Sequence, residues 1–150
     1  MAYWYEVTLS MDELEDGTCT WLVTAPDFPE VTTYGDTQEE ACRNGLKAIE
    51  EAIAARMADG EDVPPPLTET NGKGRYVGLS ALIFLKACLY MLCREQGITR
   101  AELARRLGRH RNSVDRLFIL DHKSQLDQLE EAFAAIGHPL SFDIGYPAAA

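Results

Sequence analysis

The segment Ile98–Phe118, ITRAELARRLGRHRNSVDRLF, gathers side chains suited to nucleic-acid recognition. Arginine presents a planar fork of N–H donors that matches phosphate oxygens and the guanine edge, while asparagine and serine bond base edges or backbone. Leu103, Ala104, Leu107, Val114 and Leu117 have the spacing of two short amphipathic helices, with Gly108 at the turn and small Ala104 where the helices cross. The positions left over are Arg100, Arg105, Arg106, Arg109, His110, Arg111, Asn112, Ser113 and Arg116. This pattern predicts a helix-turn-helix whose second helix, starting near His110 or Arg111, lies in the major groove with its first residues nearest the bases. Arg111, Asn112 and Ser113 are therefore the candidates for reading base edges, and Arg100, Arg105, Arg109 and Arg116 the candidates for phosphate. Arg109 stands where this motif often carries an apolar residue. Thr99 is expected to cap the first helix.

The charge of the chain is divided to match. Residues 1–71 carry sixteen Asp and Glu against three Lys and Arg, a net of −13, whereas residues 72–150 carry eleven basic and eight acidic side chains, a net of +3. A uniformly acidic protein is repelled by nucleic acid; an acidic half joined to a locally basic one points to two partners of opposite charge. A length of 150 residues allows one ordinary domain or two small ones.

Cys19, Cys42, Cys88 and Cys93 form no CxxC pair and have no histidine at metal-ligand spacing, so neither a metal site nor a disulfide framework is expected. No cofactor is indicated. His110, His122 and His138 are scattered and read as surface polar residues. The start MAYWYEVTL lacks the pattern of a secretory signal, which makes the cytoplasm the expected compartment. Leu79–Cys93 is apolar but too short for a bilayer and interrupted by Lys86, so a buried helix is expected there and no membrane partner.

The elements that must carry these residues follow from the patterning. Trp4–Leu9 alternates as a strand, Asp16-Gly17 is a hairpin turn, Thr18–Thr24 is a second strand, and Val31–Tyr34 a third after the break Pro26-Asp27-Phe28-Pro29. Thr37 with Glu40 three residues on reads as a capping box, opening a helix with Ala41, Leu46, Ile49, Ala52 and Ile53 on one stripe to about Met57. Asp59-Gly60 stops it. Val63-Pro64-Pro65-Pro66-Leu67 and the polar stretch to Gly74 mark a join between modules, and Arg75–Leu79 is a possible last edge strand of the first. Helices are expected from Ser80 to Gln96 and from Gln125 to Ile136. Leu140–Tyr146 alternates like a strand lacking a partner, which points to pairing with a second copy.

In this order the pieces resemble the HicB family of antitoxins, in the subfamily with a helix-turn-helix tail. The matching features are the strand Tyr5–Leu9, the turn Pro26–Pro29, the helix start Gly35-Asp36-Thr37-Gln38-Glu39-Glu40-Ala41, the alanine-rich Ala48–Ala55 and the exit Val63–Pro66, followed by an aliphatic helix and ITRAELARRLG. Glu30 departs from the pattern, in which glycine often follows the turn. The resemblance implies an α+β fold: a partial ribonuclease-H-like β-β-β-α-β domain over residues 1–70, with 75–79 as its last strand. A helix-turn-helix domain over 78–146, ending in a short strand, would bind DNA and dimerise. It implies an antitoxin that binds and neutralises a HicA-type mRNA-cleaving toxin and represses its own operon on operator DNA, as a dimer or tetramer. An acidic surface covering a basic RNA-binding toxin imitates phosphate and speeds association. The resemblance specifies no single toxin-contact residue; exposed apolar and acidic side chains near Pro26–Glu30 are candidates.

Two other readings remain open. An autonomous transcriptional regulator would use the N-terminal domain to sense a small ligand. A residual nuclease would need several converging carboxylates, and Asp27 falls in a turn while Glu6 alone lies on a strand. Asp36, Glu39 and Glu40 are better explained as acids offsetting a helix dipole. No enzymatic activity is expected.

Overall fold

Residues 3–67 and 69–145 are described by the computed structural model of the chain. Four strands, β1 (Trp4–Glu13), β2 (Cys19–Ala25), β3 (Phe28–Gly35) and β4 (Arg75–Gly78), form an antiparallel sheet in the order β3-β2-β1-β4. Alternation decides which face is covered: Tyr5, Val7, Val23, Ala25, Phe28, Val31 and Val77 are buried. At the first turn Gly17 has φ +77°, and the Asp16 carboxylate accepts from the Thr18 N–H (2.9 Å) and hydroxyl (2.6 Å).

Two strands are longer than the side-chain pattern predicts. β1 continues past Leu9 because Met11 and Glu13 still pair through their backbones with Trp21 and Cys19, although their side chains are exposed. β3 begins at Phe28 rather than Val31, since Pro26-Asp27 make a tight turn that sets Phe28 opposite Ala25. Pro29 is tolerated because β3 is a sheet edge, where a missing N–H breaks no ladder bond.

Helix α1 (Gln38–Asp59) covers the buried face with Ala41, Gly45, Ile49, Ala52, Ile53 and Met57. Its start is the expected cap: the Thr37 hydroxyl accepts from Glu40 N–H (3.1 Å), and the Glu40 carboxylate accepts from Asp36 N–H (2.9 Å). The helix lies close to the sheet because position 45 has no side chain; a Cβ there would stand 2.8 Å from Val23 Cγ1. The proline-rich segment after Gly60 is held on both sides. Tyr5 Oη donates to Pro64 O (2.8 Å), Leu67 N–H to Trp4 O (2.8 Å), and Tyr90 Oη to Glu61 O (2.6 Å).

The remaining elements are helical: α2 (Ala81–Glu95), α3 (Arg100–Leu107), α4 (Arg111–Asp115) running into a single 3-10 turn at Arg116–Phe118, and α5 (Leu126–Ala135). α2 buries Phe84, Leu85, Lys86, Ala87, Cys88, Leu89, Tyr90 and Cys93, which is why its sequence is apolar nearly all round. Leu103, Ala104, Val114, Leu117, Leu129, Ala132 and Phe133 join it in one continuous core with the sheet. Full burial of each large aliphatic among them is worth about 1.5–3 kcal/mol. Among the described residues no helix is long and apolar enough to cross a membrane.

The expected strand at Leu140–Tyr146 is absent from the described part of that segment: residues 140–145 are not paired with any strand, and Tyr146 lies outside the described residues. Leu140 packs on the core, but Phe142 and Ile144 are 57% and 72% exposed. Alternation supplies a face for a strand, not a neighbour for its backbone, and residues 140–145 do not pair with either edge of the sheet, β3 or β4.

Candidate nucleic-acid interface

The turn between α3 and α4 is built from local signals. Thr99 caps α3, its hydroxyl accepting from Glu102 N–H (3.1 Å). Gly108, at φ +61°, takes the left-handed conformation that stops α3, and Arg109 N–H then reaches Ala104 O (3.0 Å). α4 starts after His110, whose side chain makes no capping bond and is exposed. Val114 and Leu117 turn into the core, which leaves Arg111, Asn112, Ser113 and Arg116 on the outside.

The predicted contact residues fall into two groups. Asn112, Ser113 and Arg116 are exposed, and among the described residues none of their side chains enters an ion pair or hydrogen bond. The other arginines are held by carboxylates. Arg111 Nε is 3.1 Å from Asp115, and Arg100 Nη1 is 3.4 Å from the same carboxylate oxygen while its guanidinium stacks 4.9 Å from the Phe118 ring centre. Arg105 and Arg106 share Glu102 at 2.6 and 3.0 Å, and Arg109 pairs with Glu131 of α5. Arg100 is thus turned inward, with a structural contact that its position in the sequence did not disclose. The two guanidinium groups hold the Glu102 carboxyl down at about 2. Glu102, Asp115 and Glu131 were missed as partners, although the spacings Glu102 to Arg105 and Arg106, and Arg111 to Asp115, are those of helical neighbours.

Behind this surface lies a second feature. Lys86 is 0% exposed, and its Nζ donates to Arg116 O (3.1 Å), Ile119 O (2.6 Å) and His122 O (2.5 Å). Its signal in the sequence was a single charge within an apolar helix. The loop it holds, Phe118–Asp121, forms one wall of a cleft of about 610 Å³ whose other wall includes Lys47, Glu50, Glu51, Ala54 and Ala58 of α1.

The N-terminal half presents a different chemistry. The sheet face opposite α1 is uncovered at Trp4, Leu22 and Tyr34, and the β1–β2 tip exposes Met11 and Leu14 among Asp12, Glu13, Glu15 and Asp16. Glu30, in the edge strand, makes two bonds to Arg56 at 2.7 and 2.9 Å, which ties β3 to α1. Glu6 pairs in register with Tyr76 on β4, while Asp27 sits in the β2–β3 turn. Among the described residues no three His, Cys, Asp or Glu side chains converge as metal ligands.

Comparison with known proteins gives a consistent answer across both halves. A family profile described as the HicB_like antitoxin of bacterial toxin-antitoxin system matches residues 4–88, from β1 into α2. The chain is 33% identical to antitoxin HicB 1 of Photorhabdus laumondii over 140 residues, 93% of this chain and 86% of that protein. It is also 33% identical to antitoxin HicB of Pseudomonas fluorescens, over 93% of this chain and 94% of the relative. Antitoxin HicB of Escherichia coli K12 is 31% identical over 121 residues, 81% of this chain and 87% of that one. On this profile match and these near-full-length similarities, the chain belongs to the HicB-like antitoxin family of bacterial toxin-antitoxin systems.

Proposed function

We propose that this protein is a cytoplasmic antitoxin that binds and neutralises a HicA-type mRNA-cleaving toxin and represses its own operon by binding operator DNA as a dimer or tetramer. The reading divides the work between the halves. Residues 1–70, with the strand at 75–79, act as a partial ribonuclease-H-like platform for the toxin, and 78–146 as a helix-turn-helix domain for DNA and self-association. The observation that carries it is the separation of charge: a net of −13 over residues 1–71, against an arginine-rich helix pair whose exposed tip is Arg111-Asn112-Ser113. An acidic surface suits a basic RNA-binding partner, and the second half suits phosphate and base edges. No reaction is assigned to the chain.

The test is co-expression with any small basic protein encoded beside this gene, purification through a tag on this chain, and an RNA-cleavage assay. Stoichiometric recovery of a partner that cleaves RNA only after separation is the expected result; a partner that stays fully active with excess of this chain refutes it. On DNA, Arg111→Ala is expected to relax sequence preference, and Arg105→Ala to weaken binding evenly and flatten its salt dependence. Equal loss on operator and random duplex for Arg111→Ala contradicts the assignment. A second reading, a regulator sensing a small ligand, draws on the cleft between α1 and Phe118–Asp121. Recovery of this chain alone, still bound to its own promoter, favours that reading.

A further inference from the structure

We infer that Lys86 is a positioning residue for DNA recognition, fixing from inside the core the exit of α4 and so the direction in which Arg111, Asn112, Ser113 and Arg116 point. The inference rests on the operator-binding reading above.

A fully buried ammonium is a costly choice for the middle of an apolar helix, where leucine or methionine would fill the space without desolvating a charge. Among the described residues no carboxylate stands within ion-pair distance of it. Its three N–H groups are instead matched by the three carbonyls of Arg116, Ile119 and His122. Those carbonyls do not depend on the lysine for a partner. Arg116 O also accepts from Ile119 N–H (3.3 Å), Ile119 O from His122 N–H (3.2 Å), and His122 O from Ser124 N–H (3.0 Å).

What the ammonium adds is convergence. It draws three carbonyls spread over residues 116–122 to one point beneath α2, and carbonyls at the end of a helical turn are where a cation is favoured. α4 spans only five residues, too few to hold an orientation by its own hydrogen bonds, so its direction is set by what anchors it. Val114 and Leu117 anchor its inner face, and Lys86 anchors the strand of backbone by which it leaves. Burial pulls the Lys86 ammonium below the usual lysine range, opposed by the nearby Asp121. Base-edge hydrogen bonds are directional, whereas attraction to phosphate survives a small displacement. Loss of the tether therefore acts on discrimination before it acts on affinity.

The experiment uses the full chain as wild type, Lys86→Met and Lys86→Gln, with folding followed by circular dichroism and thermal melting. Binding is measured by fluorescence anisotropy on a duplex carrying the promoter of the chain's own gene and on a scrambled duplex of the same length and composition. The expected result is a folded Lys86→Met whose preference for the promoter falls by about tenfold or more, while its affinity for scrambled duplex stays within about threefold. Lys86→Gln, with two N–H groups and a shorter reach, falls between. A folded variant that keeps full preference overturns the proposal, and failure of both variants to fold overturns it by assigning Lys86 to stability alone. A wild type that shows no preference removes the operator-binding reading itself, and the role of Lys86 with it; that failure is recognised before any variant is compared.

Discussion

Replacing Asp115 by asparagine tests whether the carboxylates of the helix pair compete with DNA for the arginines. The Asp115 side chain is 32% exposed and holds Arg111 at 3.1 Å and Arg100 at 3.4 Å; asparagine keeps its shape and removes the charge. Partly exposed pairs of this kind contribute about 0.2–1 kcal/mol each. The variant should therefore lose about 1 kcal/mol of stability, a fall of roughly 3 °C in Tm. On DNA the effect has the opposite sign. On the proposed DNA-binding reading, one negative charge is removed at about 8 Å from a bound phosphate, worth roughly 0.5 kcal/mol in water at low salt or about twofold in affinity. If Arg100, the phosphate candidate of the two, then takes up a phosphate, one more counterion is released and the slope of log K against log salt steepens by about 0.9. The assay is anisotropy on a random-sequence duplex across a salt series, with melting curves as control. A folded Asp115→Asn that binds no tighter and shows no steeper slope refutes the competition.

Gly35→Ala places a Cβ 2.4 Å from Ala41 N and 2.8 Å from Ala41 Cα, both backbone, so β3 or the start of α1 must move. A loss of about 2 kcal/mol or more is expected as a lower midpoint in urea unfolding. Leu103→Ala, at a fully buried position joining α3 to the core, should cost about 2–5 kcal/mol by the same measurement. Glu102 is held ionised by Arg105 and Arg106, so its folded pKa lies below the unfolded one. Its contribution is present above the ordinary carboxylate range and is lost as pH falls toward about 2. An NMR titration of the Glu102 carboxyl should show a midpoint near 2, and a midpoint near the ordinary glutamate value of 4.5 would show that the two pairs do not form in solution.

Much of the fold was written locally. The capping box at Thr37 and Glu40, the Asp16-Gly17 turn, the left-handed stop at Gly108 and the inward Leu103, Val114 and Leu117 act within a few residues of themselves. Short-range geometry determines such signals, so reading them needs no knowledge of the rest of the chain. Strand ends were less legible, because pairing uses backbone groups that every residue carries, and the ladders run past the last alternating side chain at Leu9 and start before Val31. The division of charge was also a property of the sequence by itself.

Long-range packing decided the rest. Arg109 finds Glu131, Arg100 turns onto Phe118, and Glu30 reaches Arg56, across separations that no periodicity connects. Lys86 reads in the sequence as an interruption of an apolar run, and becomes intelligible only when the chain returns residues 116–122 to its ammonium. The segment 140–145 shows the same limit from the other side: its alternation describes a strand, but a strand exists only where another backbone lies beside it. The sequence by itself determined the helices, their caps and turns, and which faces they bury, since those depend on neighbours along the chain. Tertiary structure decided which charged groups are free to meet a partner, because desolvation and pairing depend on neighbours in space.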